Sequence, residues 1–249
     1  MKDVYTRYFS IYAHEADIYN RAFPRSISNW MQEAARQHAD ELGLGVETMI
    51  SKKQTWLLTR QLTEINRLPH YGEKVKVTTW PKGFTGYFAN RDFLLEDEDG
   101  NTLARATTSW VVLDLKTLRP THDVELPDTF ARNKDLHAIE TSAEKVHAPV
   151  PSIPLRKTRV LYSHLDVNKH VNNSQYLNYA LDSLSPKTFS NYEVEQWNAN
   201  FLAECKLGDE LNIVADHEIH PKVIEVSTGD KPVFRLSVSW RKRKSYREL

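Results

Sequence analysis

The spacing of apolar side chains divides this chain into strand and helix segments separated by turn residues. From Tyr5 to Tyr12 apolar and polar positions alternate weakly, which predicts a first strand. Met31, Ala34, Ala35, His38 and Leu42 then share one helical face, with Ser28 as the expected N-cap and Gly43 as the stop. On that face His38 reads as a core histidine. Four β-like segments follow, Gln54 to Ile65, Lys74 to Trp80, Tyr87 to Leu95 and Thr102 to Leu115. Pro69 and Gly72 punctuate the turn between the first two, and Asp97 to Asn101 forms a hairpin loop.

The same order returns in the second half. A helix from about Ser174 to Leu184 carries Leu177, Ala180, Leu181 and Leu184 at helical spacing. Strands are predicted at Val194 to Cys205, Leu211 to Glu218, Val223 to Ser227 and Val233 to Trp240. Leu207-Gly208-Asp209-Glu210 answers Tyr71-Gly72-Glu73-Lys74, 136 residues on (208−72), and Ser239-Trp240 answers Ser109-Trp110, 130 on (240−110). A six-residue drift is what hairpin length absorbs. Element order, more than identity of letters, marks two copies of one α+β module. Between them His122 to Ser152, with Pro127, Pro149, Pro151 and many charges, reads as a linker in which His137 and His147 are solvated. The expected division is 1–121, a linker at 122–152, and 153–249.

Composition narrows the class of function. The 249 residues hold 33 Lys+Arg against 33 Asp+Glu, so no basic field points to nucleic acid. The single cysteine, Cys205, excludes an intrachain disulfide and gives no cysteine metal cluster, which fits a reducing cytosol. No apolar run approaches the ~20 residues that span a bilayer, and the first residues lack a signal peptide's apolar core. A soluble, cytoplasmic protein with no membrane span is expected. The run Arg241-Lys242-Arg243-Lys244 is either a solvated tail or a docking patch for an acidic partner.

Candidate chemistry concentrates in Leu165 to Tyr176. Asp166, Asn168 and His170 occupy alternate positions, and in an extended segment all three project to one side. Asn172, Asn173 and Ser174 offer capping side chains to the helix that follows. A polar set is thus delivered to a helix N-terminus, where free N–H groups can hold a negative oxygen.

One helix cradled by an antiparallel sheet, present twice, is the outline of a double hotdog. With it the sequence resembles the acyl-acyl carrier protein thioesterases of plant plastids and bacteria over nearly its whole length. Asp166-Val167-Asn168-Lys169-His170-Val171-Asn172-Asn173 is close to the family's Asp-x-Asn-x-His-Val-Asn-Asn signature. Ala203-Glu204-Cys205 resembles its Glu-Cys pair, with Cys205 falling 35 residues after His170 (205−170). Ile65 to Glu73, Arg91-Asp92 and Ala106 to Asp114 continue the match in order. The resemblance implies hydrolysis of a fatty acyl thioester on acyl carrier protein, ending fatty acid synthesis, with no metal or organic cofactor. It places the site in the second module and makes the first, with Trp56, Leu57, Met31 and Phe88, the shaper of an acyl pocket. The first module has Asp17 and Asn20 ahead of its helix but no matching histidine. Without a transit peptide, a bacterial-type member is expected.

His170 can take and give a proton near neutral pH. Asp166 would orient that imidazole or fix Asn168, whose amide can donate to a carbonyl oxygen or a water. The nucleophile has two readings. Cys205, deprotonated by His170, could attack the thioester, or Glu204 with His170 could activate water. Strand alternation sends Glu204 and Cys205 to opposite faces, and burial cost favours Glu204, because a small buried cysteine needs no function. The alternatives are an acyl-CoA thioesterase, a hotdog hydratase and a catalytically silent acyl-binding module. A monomer or a homodimer is compatible with the sequence. Basic residues such as Arg156, Lys157 and Arg241 give weak support for a carrier-protein partner.

Overall fold

Residues 3–243 are described by the computed structural model, and they divide between Ala143 and Glu144 into two compact units. The first begins with β1 (Tyr5–Ser10) and a 3₁₀ turn, Ala13–Glu15. Helices α1 (Pro24–Glu41) and α2 (Val46–Ser51) precede β2 (Gln54–Ile65), β3 (Lys74–Thr85), β4 (Phe88–Glu96), β5 (Thr102–Asp114) and the two-residue β6 (Arg119–Pro120). Within this unit the strand order is β1-β3-β4-β5-β2, antiparallel throughout, with β6 on β5. Helix α1 crosses the sheet against β1 and β3 and buries Ile27, Trp30, Met31, Ala34, Ala35 and His38.

That helix begins one turn earlier than its apolar spacing suggests. Phe23 is the N-cap and Pro24 takes the first helical position, where its missing N–H costs nothing. Ser28, expected as the cap, is instead an interior residue, fully buried, whose hydroxyl meets Gln61 Oε1 at 3.1 Å. Gly43 follows the helix end with φ +71°, as expected of a stop. His38 is a core histidine: Tyr5 stacks on it, and Arg91 Nη1 donates to its Nδ1 at 3.1 Å. Burial draws the Arg91 guanidinium down to about 10.

The second unit repeats this plan. It contains β7 (Ile153–Arg159), a 3₁₀ turn at Tyr162–His164, α3 (Asn173–Leu181), α4 (Pro186–Asn191), β8 (Tyr192–Phe201), β9 (Glu210–Ala215), β10 (Val223–Thr228) and β11 (Lys231–Lys242). Its order, β7-β9-β10-β11-β8, is that of the first sheet strand for strand. Even an irregularity recurs. Thr59 is bulged out opposite Ser109-Trp110, and Glu195 is bulged out opposite Ser239-Trp240. Each unit is a helix laid on an antiparallel sheet, the hotdog arrangement expected of it.

Three expectations need correction. Strand β8 ends at Phe201, so Glu204 and Cys205 lie beyond it in irregular chain. Helix α3 stops at Leu181, and Leu184 is buried past its end. Residues 122–143 pack on the first unit. Phe130 joins a core cluster with Leu42, Leu44, Met49, Ala89 and Val112, while Ile139 and Ala143 close on Leu62. These apolar anchors stand singly without a period, so a pattern search passes over them. His137 is exposed, with Nδ1 2.6 Å from Lys82 Nζ, and His147 is exposed.

Gly72 and Gly208 make equivalent turns at φ +87° and +88°, and their N–H groups donate to Ile11 and Val160 at 3.1 and 3.0 Å. A Cβ is disfavoured in that conformation. Gly72→Ala and Gly208→Ala should each lower stability by about 1–2 kcal/mol in urea denaturation, and an unchanged midpoint would mean the turns relax freely.

Candidate active site

The segment after the second 3₁₀ turn is not extended. Leu165 and Val171 form an isolated bridge, Asp166 N–H donates to His170 O at 2.8 Å, and Lys169 adopts φ +65°. The chain therefore folds into a tight turn whose tip is Val167 to Lys169. The Asp166 carboxylate organises it, since Oδ1 accepts the backbone N–H groups of Asn168 at 2.8 Å and His170 at 3.3 Å. Its Oδ2 reaches Asn168 Nδ2 at 3.5 Å. Of the two roles expected of Asp166, the structure shows the fixing of Asn168, and no hydrogen bond to the His170 ring among the described residues.

His170 is held at the turn's exit, and its Nδ1 lies 3.4 Å from Glu204 Oε1. Both side chains are about half exposed, 49% and 51%, so the pair is open to solvent. Helix α3 positions both halves of it. At its start, Asn172 Oδ1 accepts the Ser174 N–H at 2.9 Å and caps the helix, as expected. One turn on, the Tyr176 hydroxyl accepts the Cys205 N–H at 3.0 Å and donates to Ala203 O at 3.4 Å. Tyr176 is buried against Phe201 and Phe234, and this burial pushes its hydroxyl above the usual phenol range. The tyrosine thus clamps residues 203–205 and turns Glu204 outward. Nothing in the pattern of the sequence singled it out, because a tyrosine on a helix's apolar face is ordinary core.

Cys205 is fully buried and free of any disulfide. Burial pushes its thiol up, and its electrostatic neighbours are Tyr176, Asp209 and Lys231. Among the described residues no hydrogen bond joins it to His170. Of the five residues expected at the site, Asp166, Asn168, His170 and Glu204 come together, and Cys205 lies behind them in the core.

The basic residues considered for docking are largely engaged with their own unit. Arg241 pairs with Glu193 at 2.7 Å, Arg243 Nη1 donates to Phe189 O at 3.3 Å, and Arg156 Nη1 donates to Asp182 O at 3.0 Å. Lys244 lies outside the described residues. In the first unit Met31 is core, Trp56 and Leu57 are half-buried, and Phe88 carries the Arg60 guanidinium over its ring at 5.3 Å. No helix among the described residues is long and apolar enough to cross a membrane.

A helix on an antiparallel sheet, given twice, with a histidine–carboxylate pair on one copy, defines the double-hotdog class. The chain belongs to the acyl-ACP thioesterase family, whose N-terminal domain matches residues 2–130 and whose C-terminal domain matches residues 153–240. The palmitoyl-acyl carrier protein thioesterase of Cuphea hookeriana chloroplasts is 26% identical over 218 residues, 81% of this chain and 52% of that protein. The chain spans about half the length of that curated relative. In structure it resembles an acyl-ACP thioesterase from Bacteroides thetaiotaomicron, with TM-score 0.82 and 24% identity over 96% of this chain and 98% of that one. It likewise resembles the 12:0-ACP thioesterase of Umbellularia californica, with TM-score 0.82 and 24% identity over 98% and 99%. At that identity these two show the fold.

The buried thiol yields its own prediction. Cys205 should resist iodoacetamide at pH 8 in the folded protein and react once urea is added. A raised thiol favours the folded state below the ordinary thiol range and loses that contribution as pH climbs through and past about 8.5. Wild type should therefore weaken relative to Cys205→Ala in alkaline urea titrations. Rapid alkylation of folded protein would contradict the burial.

Proposed function

We propose that this chain hydrolyses the thioester of fatty acyl-acyl carrier protein, releasing free fatty acid in the cytoplasm as a terminating step of fatty acid biosynthesis. Family membership supports the reaction class. The observation that carries the chemistry is the exposed His170–Glu204 pair beside Asn168. The second unit is the catalytic half and the first shapes the acyl pocket. The active species is a monomer or homodimer.

Glu204 receives the Nδ1–H of His170 and so leaves Nε2 unprotonated and facing outward. Water is deprotonated by Nε2 as its oxygen bonds to the thioester carbon. Asn168, fixed through Asp166, donates its amide to the oxyanion that develops on the carbonyl oxygen. Collapse breaks the C–S bond, and the departing thiolate takes the proton back from His170. Fatty acid and carrier thiol result, with no metal or organic cofactor called upon. Cys205, a buried thiol without a base beside it, is a packing residue in this scheme.

A paired rate assay on acyl-acyl carrier protein and the matching acyl-CoA tests the reading. His170→Ala should lower kcat about 10²–10⁴-fold, and Glu204→Gln should fall in the same direction by less. Cys205→Ala should keep most of its turnover. Equal rates on both carriers would move the assignment to a general thioesterase. No turnover with acyl binding retained would make the chain a silent acyl-binding module.

A further inference from the structure

The two units can be aligned through their site turns with a constant offset. The bridge Ala16–Ala22 answers Leu165–Val171, and Asn20, at φ +65°, answers Lys169 at the same value (165−16 and 169−20 are both 149). The 3₁₀ turns Ala13–Glu15 and Tyr162–His164 keep this offset. Arg21, in ion-pair contact with Asp17 at 2.8 Å, therefore stands where the second unit has His170. The same alignment sets His164 opposite Glu15 (164−15) and Tyr179 opposite Trp30 (179−30).

These two pairs do the same structural work with different acid–base chemistry. In the first unit Glu15 offers two oxygens to two donors, Oε2 to the Tyr12 N–H at 3.0 Å and Oε1 to Trp30 Nε1–H at 2.8 Å. In the second, His164 Nδ1 alone receives the Leu161 N–H at 3.0 Å and the Tyr179 hydroxyl at 2.7 Å. A backbone N–H can only donate, so Nδ1 is unprotonated and the ring proton sits on Nε2. The His164 carbonyl also accepts the N–H of Asn172, the cap of α3, at 3.0 Å. His164 thus ties three things together: the 3₁₀ turn, helix α3, and the base of the Asp166–His170 turn.

The surroundings have diverged too. In the first unit Phe9 stacks on Trp30 and Arg7 pairs with Glu33 at 3.0 Å. Their counterparts Thr158, Tyr179, Arg156 and Asp182 line a cleft of about 170 Å³ onto which His164 opens. Water can reach the ring. The charged and titratable groups around it are Arg156 from β7, Tyr179 from α3 and Asp182 at that helix's C-cap, with neutral Ile213 from β9. Burial lowers the His164 imidazole below its usual range, consistent with a neutral ring in the folded state.

We propose that neutral His164 is a positioning residue that locks the Asp166–His170 turn onto α3, and that its protonation undoes the lock. A proton on Nδ1 turns the acceptor into a donor. Tyr179 can rotate to accept from it, but the Leu161 N–H loses its partner. Because the folded imidazole is the less basic one, the lock is intact above the ordinary histidine value near 6.5 and is lost as pH falls below it. In the first unit Glu15 holds the equivalent turn with two carboxylate oxygens, one for each donor. The consequence for turnover rests on the proposed thioesterase reading, whereas the consequence for order does not.

Hydrogen exchange of peptides spanning residues 161–172, corrected for intrinsic pH dependence, tests this on the full chain without substrate. Wild type should be protected at pH 8 and lose about tenfold or more of that protection by pH 5. His164→Ala should be poorly protected at both. The double variant His164→Glu, Tyr179→Trp, which installs the first unit's pair, should regain protection and hold it at pH 5.5. On the acid side of kcat/KM, wild type should fall more steeply than the double variant, by about one unit of slope contributed by His164. Wild-type protection that is equal at pH 5 and 8, or full protection in His164→Ala, would overturn the lock. If no variant hydrolyses an acyl thioester, the functional reading fails and the exchange data still decide this one.

Discussion

The candidate site depends on one carboxylate that acts on its own backbone. Asp166 accepts the N–H groups of Asn168 and His170 within a turn closed by the Leu165–Val171 bridge. Such a turn needs a residue at positive φ, and Lys169 supplies it at a small steric penalty that the carboxylate's two hydrogen bonds offset. Without that acceptor the two amides would face competing water, and the geometry linking Asn168 to His170 would dissolve. Glu204 arrives from a different segment and is aimed by Tyr176, so both halves of the pair answer to α3. A rigid helix thus holds two otherwise irregular loops in one arrangement.

Comparison of the two units shows where they diverge on a common frame. The first keeps a turn of the same shape but fills it with an Asp17–Arg21 pair, a fixed charge that cannot shuttle a proton. It packs Phe9 against Trp30 where the second unit leaves a cleft. The scaffold is shared and the chemistry is not.

Much of the frame was legible in the sequence because it rests on period and punctuation. The alternation in the strands, the apolar face of α1 and the Gly72 and Gly208 turns all survive in the structure, as does the order of elements in both halves. The motifs named Asp166, Asn168, His170, Glu204 and Cys205, of which the structure brings the first four together, yet their geometry was not legible. Alternate spacing suggested an extended segment, whereas Asp166 hydrogen bonds bend it into a turn, something local side-chain acceptors do and hydropathy does not record. Strand β7 escaped notice because an edge strand of Ile-Pro-Leu-Arg-Lys-Thr-Arg has few apolar positions to alternate. The His164–Tyr179 pair was invisible for another reason. It emerges only when the two copies are aligned at an offset of 149, and letter identity there is too slight to reveal it.

The central claim is that water, activated by His170 and Glu204, attacks the thioester directly and that Cys205 stays a buried thiol. Rapid-quench intact mass analysis of the enzyme during a single turnover of acyl-acyl carrier protein addresses it most directly. The account predicts that the protein mass stays unmodified while free fatty acid accumulates. A transient acyl adduct that maps to Cys205 and decays at the rate of product formation would contradict it.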